Sequence, residues 1–585
     1  MEQITKQIKS LENLIKTDPK NFINYFYLGD IYRKIKKYDF ALKNYQKSVD
    51  LNNKFPEGYN NLANIYRELN DTKNSIIFFK KAIELKPDYI NAIYNLGVVF
   101  SEVEKYEESG YCFKKVLKID PNHLAALNNF GIVLKNIKKY DEAIKCFEKI
   151  IQINNNFSKA YNNIGTILLE LGDTKNAIKN YKRVIELEPN NLISYKNLLA
   201  AFENSNQIKN YEEILNLSKN KFPNENILKL YTGILLFRKE SFKDSIKELD
   251  NLDFQGDQQI EIKKNFFLAR SYDRLNMTDK AFEYFVKAND LEKNSTQAKK
   301  FDKNRYHESI EIRKNYFTKN NIKKWTSVKY SNSDFNPIFL IGFPRSGTTL
   351  LDTILASHPK IKTIDEKPMV LKMIKKIKNN DLNSLNKISN SEIKLLQMEY
   401  LAELKKHTIF ENKSNLYIDK LPLNLINAGE IVRIFPNSKF ILALRHPLDC
   451  VLSCFMQNFN LNDAMNNFFT LEDSALLYRK TMELWGEYVA NLKINYITVK
   501  YEDLIKDYKG NVGKIIKFLN LDWNNSLLEY RKTAMKREKI STPSYYQVVQ
   551  PIYNHADQRW KRYKKHLSNV KSDLEELISK YKYLS

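Results

Sequence analysis

The run Pro337-Ile-Phe-Leu-Ile-Gly342-Phe-Pro-Arg345-Ser346-Gly347-Thr348-Thr349 holds the residues of this chain whose types and spacing best suit chemistry. It reads as a buried strand, a tight loop and the start of a helix. Backbone N–H groups in such a loop, together with the positive end of the helix, make an anion site. The frame Gly342-x-x-x-x-Gly347-Thr348-Thr349 lacks the Lys that follows the second glycine in ATP-binding loops and meets the β/γ-phosphates. Arg345 supplies the charge from inside the loop instead, and a planar guanidinium suits bidentate contact with a phosphate-like group.

A second strand–turn–helix, Phe440-Ile-Leu-Ala-Leu-Arg445-His-Pro-Leu-Asp-Cys-Val-Leu-Ser453, strengthens the distinction. A loop that works on ATP is often partnered by a strand ending in an acid that holds Mg²⁺. This strand ends in Arg445, and Ser453 follows on the predicted helix. An arginine and a hydroxyl suit a second phosphate. The loop alone is a moderate signal, and the two motifs in order are a strong one.

With these residues the segment from about 337 to 565 resembles the sulfotransferase superfamily, and within it the tyrosylprotein sulfotransferases and the bacterial tetratricopeptide-repeat sulfotransferases. The resemblance implies 3′-phosphoadenosine 5′-phosphosulfate as donor, with Arg345, Ser346, Gly347, Thr348 and Thr349 at its 5′-phosphosulfate and Arg445 and Ser453 at its 3′-phosphate. It implies nucleotide contacts from Tyr501, and a segment closing over the donor that runs from Ser544-x-x-Gln547 to Arg559-Trp560. Glu366 aligns with the family's catalytic base, which takes the acceptor's hydroxyl proton. Lys420, in Ile418-Asp419-Lys420-Leu421-Pro422, matches a lysine that neutralises the leaving phosphate oxygen. Isolated, either residue reads as a surface charge; its place in an ordered set of motifs reverses that. Asp365 stays a rival base because spacing does not separate adjacent acids. Arg559 stands where the protein-tyrosine enzymes usually carry Lys. No metal is expected.

An α/β, P-loop-like domain with a central parallel sheet, residues 336–585, must position these groups. Before it the chain repeats itself every 34 residues at Leu28-Gly29, Leu62-Ala63, Leu96-Gly97, Phe130-Gly131 and Ile164-Gly165, and again at Ala41, Ser75, Ser109, Ala143 and Ala177. Tyr45, Phe79, Phe113, Phe147 and Tyr181 follow the second set four residues on. Small residues let paired helices approach and the aromatics fill the gaps. This resembles the tetratricopeptide repeat, which implies an all-α superhelix over 1–290, about eight repeats with the sixth and seventh degenerate, joined by a helical connector over 291–335. Such a groove holds a peptide or protein. Asn60-Asn61, Asn95, Asn128-Asn129 and Asn162-Asn163 are expected on its inner helices, where they can bond a peptide backbone.

Composition bounds the rest. The 585 residues exceed one core, and 43% hydrophobic with 28% charged residues suits a folded protein. Fifteen Gly and fifteen Pro favour long helices and short turns. The net charge of +25 favours anionic partners without requiring nucleic acid, and the Lys-rich bias runs along the whole chain. Between Arg531 and His566, ten Lys or Arg meet two acids, either a solvated face or a collar around a polyanion. Cys112, Cys146, Cys450 and Cys454 lack metal-site spacing and read as buried residues of a reduced protein. Met1–Thr17 lacks a signal-peptide apolar stretch, and no apolar run is long enough for a membrane span, so a cytoplasmic protein is expected. The expected function is sulfuryl transfer to a hydroxyl, with a protein tyrosine favoured by resemblance and glycans, lipids and small alcohols left open. A P-loop kinase-like phosphotransferase and a nucleotide-binding scaffold are the alternatives.

Overall fold

The structure is a computed structural model and describes residues 2–254, 256–327, 335–378, 381–410, 415–536 and 558–583. Ser544 and its neighbours up to 557 lie outside the described residues. The chain divides into two compact units, Met1–Ala201 and Phe202–Ser585.

In the first unit the helix Glu2–Thr17 precedes helical hairpins whose first helices begin at Phe22, Pro56, Ile90, Leu124 and Ser158. The period seen in the sequence is thus the period of the hairpins. Small residues set the approach of the paired helices: a Cβ on Gly29, Gly131 or Gly165 would lie 2.8, 2.6 or 2.7 Å from the ring of Tyr45, Phe147 or Tyr181. Ala41, Ser75, Ser109, Ala143 and Ala177 are buried beside them. Each hairpin turn uses one left-handed residue, Lys36, Asn70, Glu104, Lys138 and Gly172 in succession, at φ of 58°, 60°, 58°, 61° and 80°. Only the fifth has the glycine such a position prefers; asparagine also tolerates it, so Lys36, Glu104 and Lys138 accept a strain of roughly 1 kcal/mol each.

The asparagines of the inner helices are bonded from one repeat to the next. Asn95, Asn163 and Asn197 donate to the side-chain carbonyls of Asn60, Asn128 and Asn162 at 3.2, 3.2 and 2.8 Å. Asn129 donates to Tyr94 Oη at 2.9 Å. The result is a ladder that ties each inner helix to the next.

The second unit carries the later repeat helices, ending in a long hairpin of Gln258–Arg274 and Thr278–Lys293. A connecting helix, Lys303–Tyr316, follows, and its Arg313 pairs at 2.8 Å with the fully buried Glu430. Beyond it lies a sheet of five parallel strands, β1 (Ile338–Gly342), β2 (Ile361–Asp365), β3 (Leu416–Lys420), β4 (Lys439–Leu444) and β5 (Asn495–Lys500), ordered β2-β3-β1-β4-β5. All five residues of β1 are buried, as expected of a parallel strand covered on both faces. The fold is therefore an all-α repeat array followed by an α/β domain with a central parallel sheet.

The strand order reverses at β1, and open α/β sheets bind ligands beyond the carboxyl ends of the strands at such a point. Register brings Gly342 beside Ala443 and Asp365 beside Lys420, so the β1 loop, the end of β3 and the Arg445 turn share one edge. The last repeat hairpin packs close by. Asn289 Nδ2 donates to the Phe455 carbonyl at 2.9 Å, and the Phe282 and Phe455 rings stack with centroids 5.3 Å apart.

Candidate active site

The loop after β1 turns through Arg345 at φ 69° and Gly347 at φ 97° before the helix Thr348–Ala356 begins. A Cβ on Gly347 would stand 2.9 Å from Tyr501 Cδ2, in a conformation that side chains avoid. Arg345 takes the left-handed form without that freedom, a strain that concentrates at functional sites. Its Nε donates to Ser453 Oγ at 3.0 Å. Arg445 donates to the Arg345 carbonyl at 3.4 Å, and its guanidinium lies 5.1 Å from the centroid of the Tyr501 ring. The structure thus gathers residues read from the sequence as two separate phosphate contacts into one cluster. Ser346, Thr348 and Thr349 are buried, and Ser346 Oγ has no hydrogen-bond partner among the described residues.

The helix Pro447–Phe455 carries Ser453 and is capped by His446, whose Nδ1 accepts from the Leu448 N–H at 3.3 Å. The His446 ring stacks on Trp560 with centroids 4.8 Å apart, and the Trp560 N–H donates to Asp449 Oδ1 at 2.9 Å. The other carboxylate oxygen of Asp449 lies 3.7 Å from Arg445. In the sequence Asp449 stands four residues after Arg445, at helical spacing, the one local signal of this contact. Cys450 and Cys454 are buried in the same helix, and burial pushes both thiols up, as core residues require. His358 accepts from the Lys360 N–H at 3.2 Å and lies 3.1 Å from the Asp522 carbonyl, a structural position.

At the end of β3, Lys420 is fully buried. Its ammonium donates to Glu366 Oε1 at 2.9 Å and also pairs with Asp365. Glu366 adopts a left-handed φ of 50°, and its N–H donates to the Lys420 carbonyl at 2.8 Å. Burial pushes the Glu366 carboxyl above the usual carboxylate range; Lys420 opposes that shift and Asp365 adds to it. Burial also works against the charge on Lys420, but Asp365 and then Glu366 outweigh it and raise its pKa. Of the two acids, Glu366 has the more exposed side chain, 32% against 18%. Asp352 is buried on the helix after the loop, and its charge acts on both Lys420 and Glu366. Its spacing of one helical turn from Thr348 was the available signal.

Arg559 pairs with Asp273, of the last repeat hairpin, at 2.6 Å. Arg562 and Tyr563 Oη join the same carboxylate at 3.4 and 2.7 Å. Burial works against the Asp273 charge, yet Arg559 foremost and then Arg562 hold its pKa below the usual range. No local pattern signals this carboxylate, because it lies 286 residues from Arg559 in the chain.

A strand–loop–helix at the switch point of a parallel sheet, lined by two arginines and backed by a Glu–Lys pair, defines an α/β domain that follows helical repeats. Residues 337–525 match the family model described as Sulfotransferase family. Tetratricopeptide-repeat models match residues 29–70, 56–89, 90–123, 112–145 and 158–191. The chain therefore joins tetratricopeptide repeats to a sulfotransferase-family domain. It is 23% identical over 244 residues to protein-tyrosine sulfotransferase 1 of Danio rerio, covering 39% of this chain and 66% of that one. To the protein-tyrosine sulfotransferase of Drosophila melanogaster it is 25% identical over 252 residues, covering 39% and 48%. An uncharacterised protein of Aquifex aeolicus is 28% identical over 335 residues, covering 55% of this chain and 42% of that one. The chain spans about two fifths to two thirds of the length of these relatives. Among solved structures, the tetratricopeptide-repeat protein YrrB matches 32% of this chain and 96% of its own at 19% identity and a TM-score of 0.29. Among the described residues no helix is long and apolar enough to cross a membrane.

Proposed function

We propose that this chain is a sulfotransferase that moves a sulfuryl group from 3′-phosphoadenosine 5′-phosphosulfate to a hydroxyl, with a protein tyrosine presented by the repeats as the favoured acceptor. The observation that carries the reading is the Glu366–Lys420 pair on the same sheet edge as the Arg345 loop. The residues present fit such a donor. Arg345 and Arg445 offer guanidinium groups, Ser346 offers a buried hydroxyl, and Gly347 lets the Tyr501 ring pack against the loop, where a Cβ would stand 2.9 Å from it. Ser346, Gly347, Thr348 and Thr349 would hold the 5′ end, Arg445 and Ser453 the 3′-phosphate, and Tyr501 the nucleotide beside Arg445. Ser544 and Arg559 belong to the same proposal as contacts from the C-terminal segment.

When bound, the donor supplies an activated sulfuryl group on a phosphate leaving group. Glu366 takes the acceptor's hydroxyl proton, a role that suits a carboxyl raised toward neutrality. Lys420 holds Glu366 in place and keeps a positive charge beside the leaving oxygen. Arg345 adds charge from the loop after β1, where its Nε donates to Ser453 Oγ. A Thr at position 348, where an ATP loop has Lys, favours this reading over phosphotransfer.

The proposed division of labour keeps 1–290 as the acceptor-presenting array, 291–335 as connector and 336–585 as the transferase. A cytoplasmic setting accords with four cysteines that form no disulfide. The test is mass spectrometry of an extract from cells lacking the protein, incubated with donor and purified chain. Sulfated tyrosine in the products supports the full reading; a sulfated glycan or lipid would replace the acceptor class, and no sulfated product would refute the activity.

A further inference from the structure

Arg270 lies one turn before Asp273 on the helix Gln258–Arg274, so the two side chains leave the same face of the last repeat hairpin. Asp273 is taken up by Arg559 and Arg562. Arg270 packs 5.9 and 5.6 Å from the rings of Phe266 and Phe267 and makes no hydrogen bond or ion pair among the described residues. Its electrostatic neighbours are chiefly cations, Arg238 first and then Arg345 and Arg559, opposed by Glu203. Glu203 is itself engaged by Lys263 at 2.8 Å and Arg238 at 3.7 Å. Burial and the like charges together pull the Arg270 guanidinium down to about 10.

Among the described residues Arg238 and Lys263 pair with Glu203, Arg559 and Arg562 pair with Asp273, and the charges of Arg345 and Arg559 act on Arg270 between them. Concentrated charge of one sign in a partly buried place is costly unless an opposite charge joins it. Among the described residues Arg270 is a guanidinium in no ion pair, on the hairpin whose Asp273 holds Arg559, and such a group has the form of a binding group rather than a structural one.

We propose that Arg270, with Arg345 and Arg559, forms an oxyanion subsite that the last repeat hairpin contributes to the sulfotransferase-family domain. Its ligand is a phosphate, sulfate or carboxylate group. Two sources carry such a group, the donor and an acidic acceptor, and both approach the Arg345 loop. The repeats then bind a reactant directly at the catalytic edge, in addition to holding a partner along their groove. The inference rests on reading the Arg345 loop as an anion site.

The full chain and its Arg270→Gln and Arg270→Lys variants are titrated calorimetrically with inorganic sulfate and, separately, with 3′-phosphoadenosine 5′-phosphate; circular dichroism checks the fold. Loss of a charge-assisted bidentate contact weakens binding by about tenfold or more in Arg270→Gln and by less in Arg270→Lys. Weakening of the nucleotide assigns the subsite to the donor. Weakening of sulfate alone, with a raised acceptor KM, assigns it to the acceptor. Sulfate, nucleotide and acceptor values all unchanged in a folded Arg270→Gln variant overturn the proposal. A wild-type chain that binds no nucleotide sinks the donor reading instead and leaves the sulfate titration to decide the subsite.

Discussion

Glu366 and Lys420 are joined twice: the Glu366 N–H donates to the Lys420 carbonyl at 2.8 Å, and the Lys420 ammonium donates back to Glu366 Oε1 at 2.9 Å. The first bond extends the β2–β3 ladder by one residue beyond Asp365, and the left-handed φ of 50° turns the side chain onto the lysine. Backbone pairing and ion pair thus fix one carboxylate at the edge where the β1 loop ends.

Glu366→Gln keeps the shape and removes the base. The expected loss in kcat is ~10²–10⁴-fold with donor affinity kept, because that is the usual worth of positioned proton transfer. Steady-state kinetics beside nucleotide calorimetry measure both. Normal turnover in Glu366→Gln, with loss in Asp365→Asn, would transfer the role to Asp365.

The pH profile follows from the raised Glu366 carboxyl. A base works only when deprotonated, so kcat/KM falls as pH drops through the folded pKa, which lies above the ordinary glutamate value. The acid limb should therefore sit higher than a free carboxylate allows and vanish in Glu366→Gln. A profile flat down to the ordinary carboxylate range contradicts this.

Lys420→Met removes a fully buried ammonium from between Asp365 and Glu366. Breaking a buried pair on one side costs about 3–5 kcal/mol, read as lost hydrogen-exchange protection in β3. The raised pKa of Lys420 sets the sign with pH: its contribution is full below the unfolded lysine value and is lost as pH rises through the folded one. Unchanged protection in β3 would mean that the acids find other partners.

In the repeats, Gly131→Ala drives a Cβ to 2.6 Å from the Phe147 ring. Overpacking of this kind costs ~1–3 kcal/mol, and the loss should appear as faster amide exchange in Leu124–Ile153 and not in the parallel sheet. Exchange unchanged in that hairpin would show that the ring moves aside freely.

Asp273→Asn leaves Arg559 without its carboxylate. If Asp273 positions Arg559 for the donor, the donor KM rises while kcat at saturating donor changes little. A fall in kcat at unchanged KM contradicts a positioning role.

What the sequence made legible was periodic or local. The repeat register, the Gly29–Tyr45 type of packing and the β1 loop all depend on residues near one another in the chain, and types and spacing suffice to read them. The turn residues at Lys36, Asn70, Glu104 and Lys138 were hidden because they adopt a left-handed φ without being glycine. The asparagine positions were legible but their partners were not: an amide serves a neighbouring repeat as well as a peptide. Asp352 and Asp449 stood at helical spacing beside chosen residues, yet acids on helices are ordinary without knowledge of burial. Asp273 was beyond reach, since its meeting with Arg559 depends on how the last hairpin packs against the sheet domain.

Sulfuryl transfer is measured by incubating the full chain with a cell extract and either sulfur-labelled 3′-phosphoadenosine 5′-phosphosulfate or γ-labelled ATP. Label should pass from the sulfate donor to acceptor, fall to background in Glu366→Gln and Arg345→Gln, and not pass from ATP. Transfer of phosphate without sulfate would make the chain a phosphotransferase, and sulfate transfer undiminished in both variants would remove Glu366 and Arg345 from its active site.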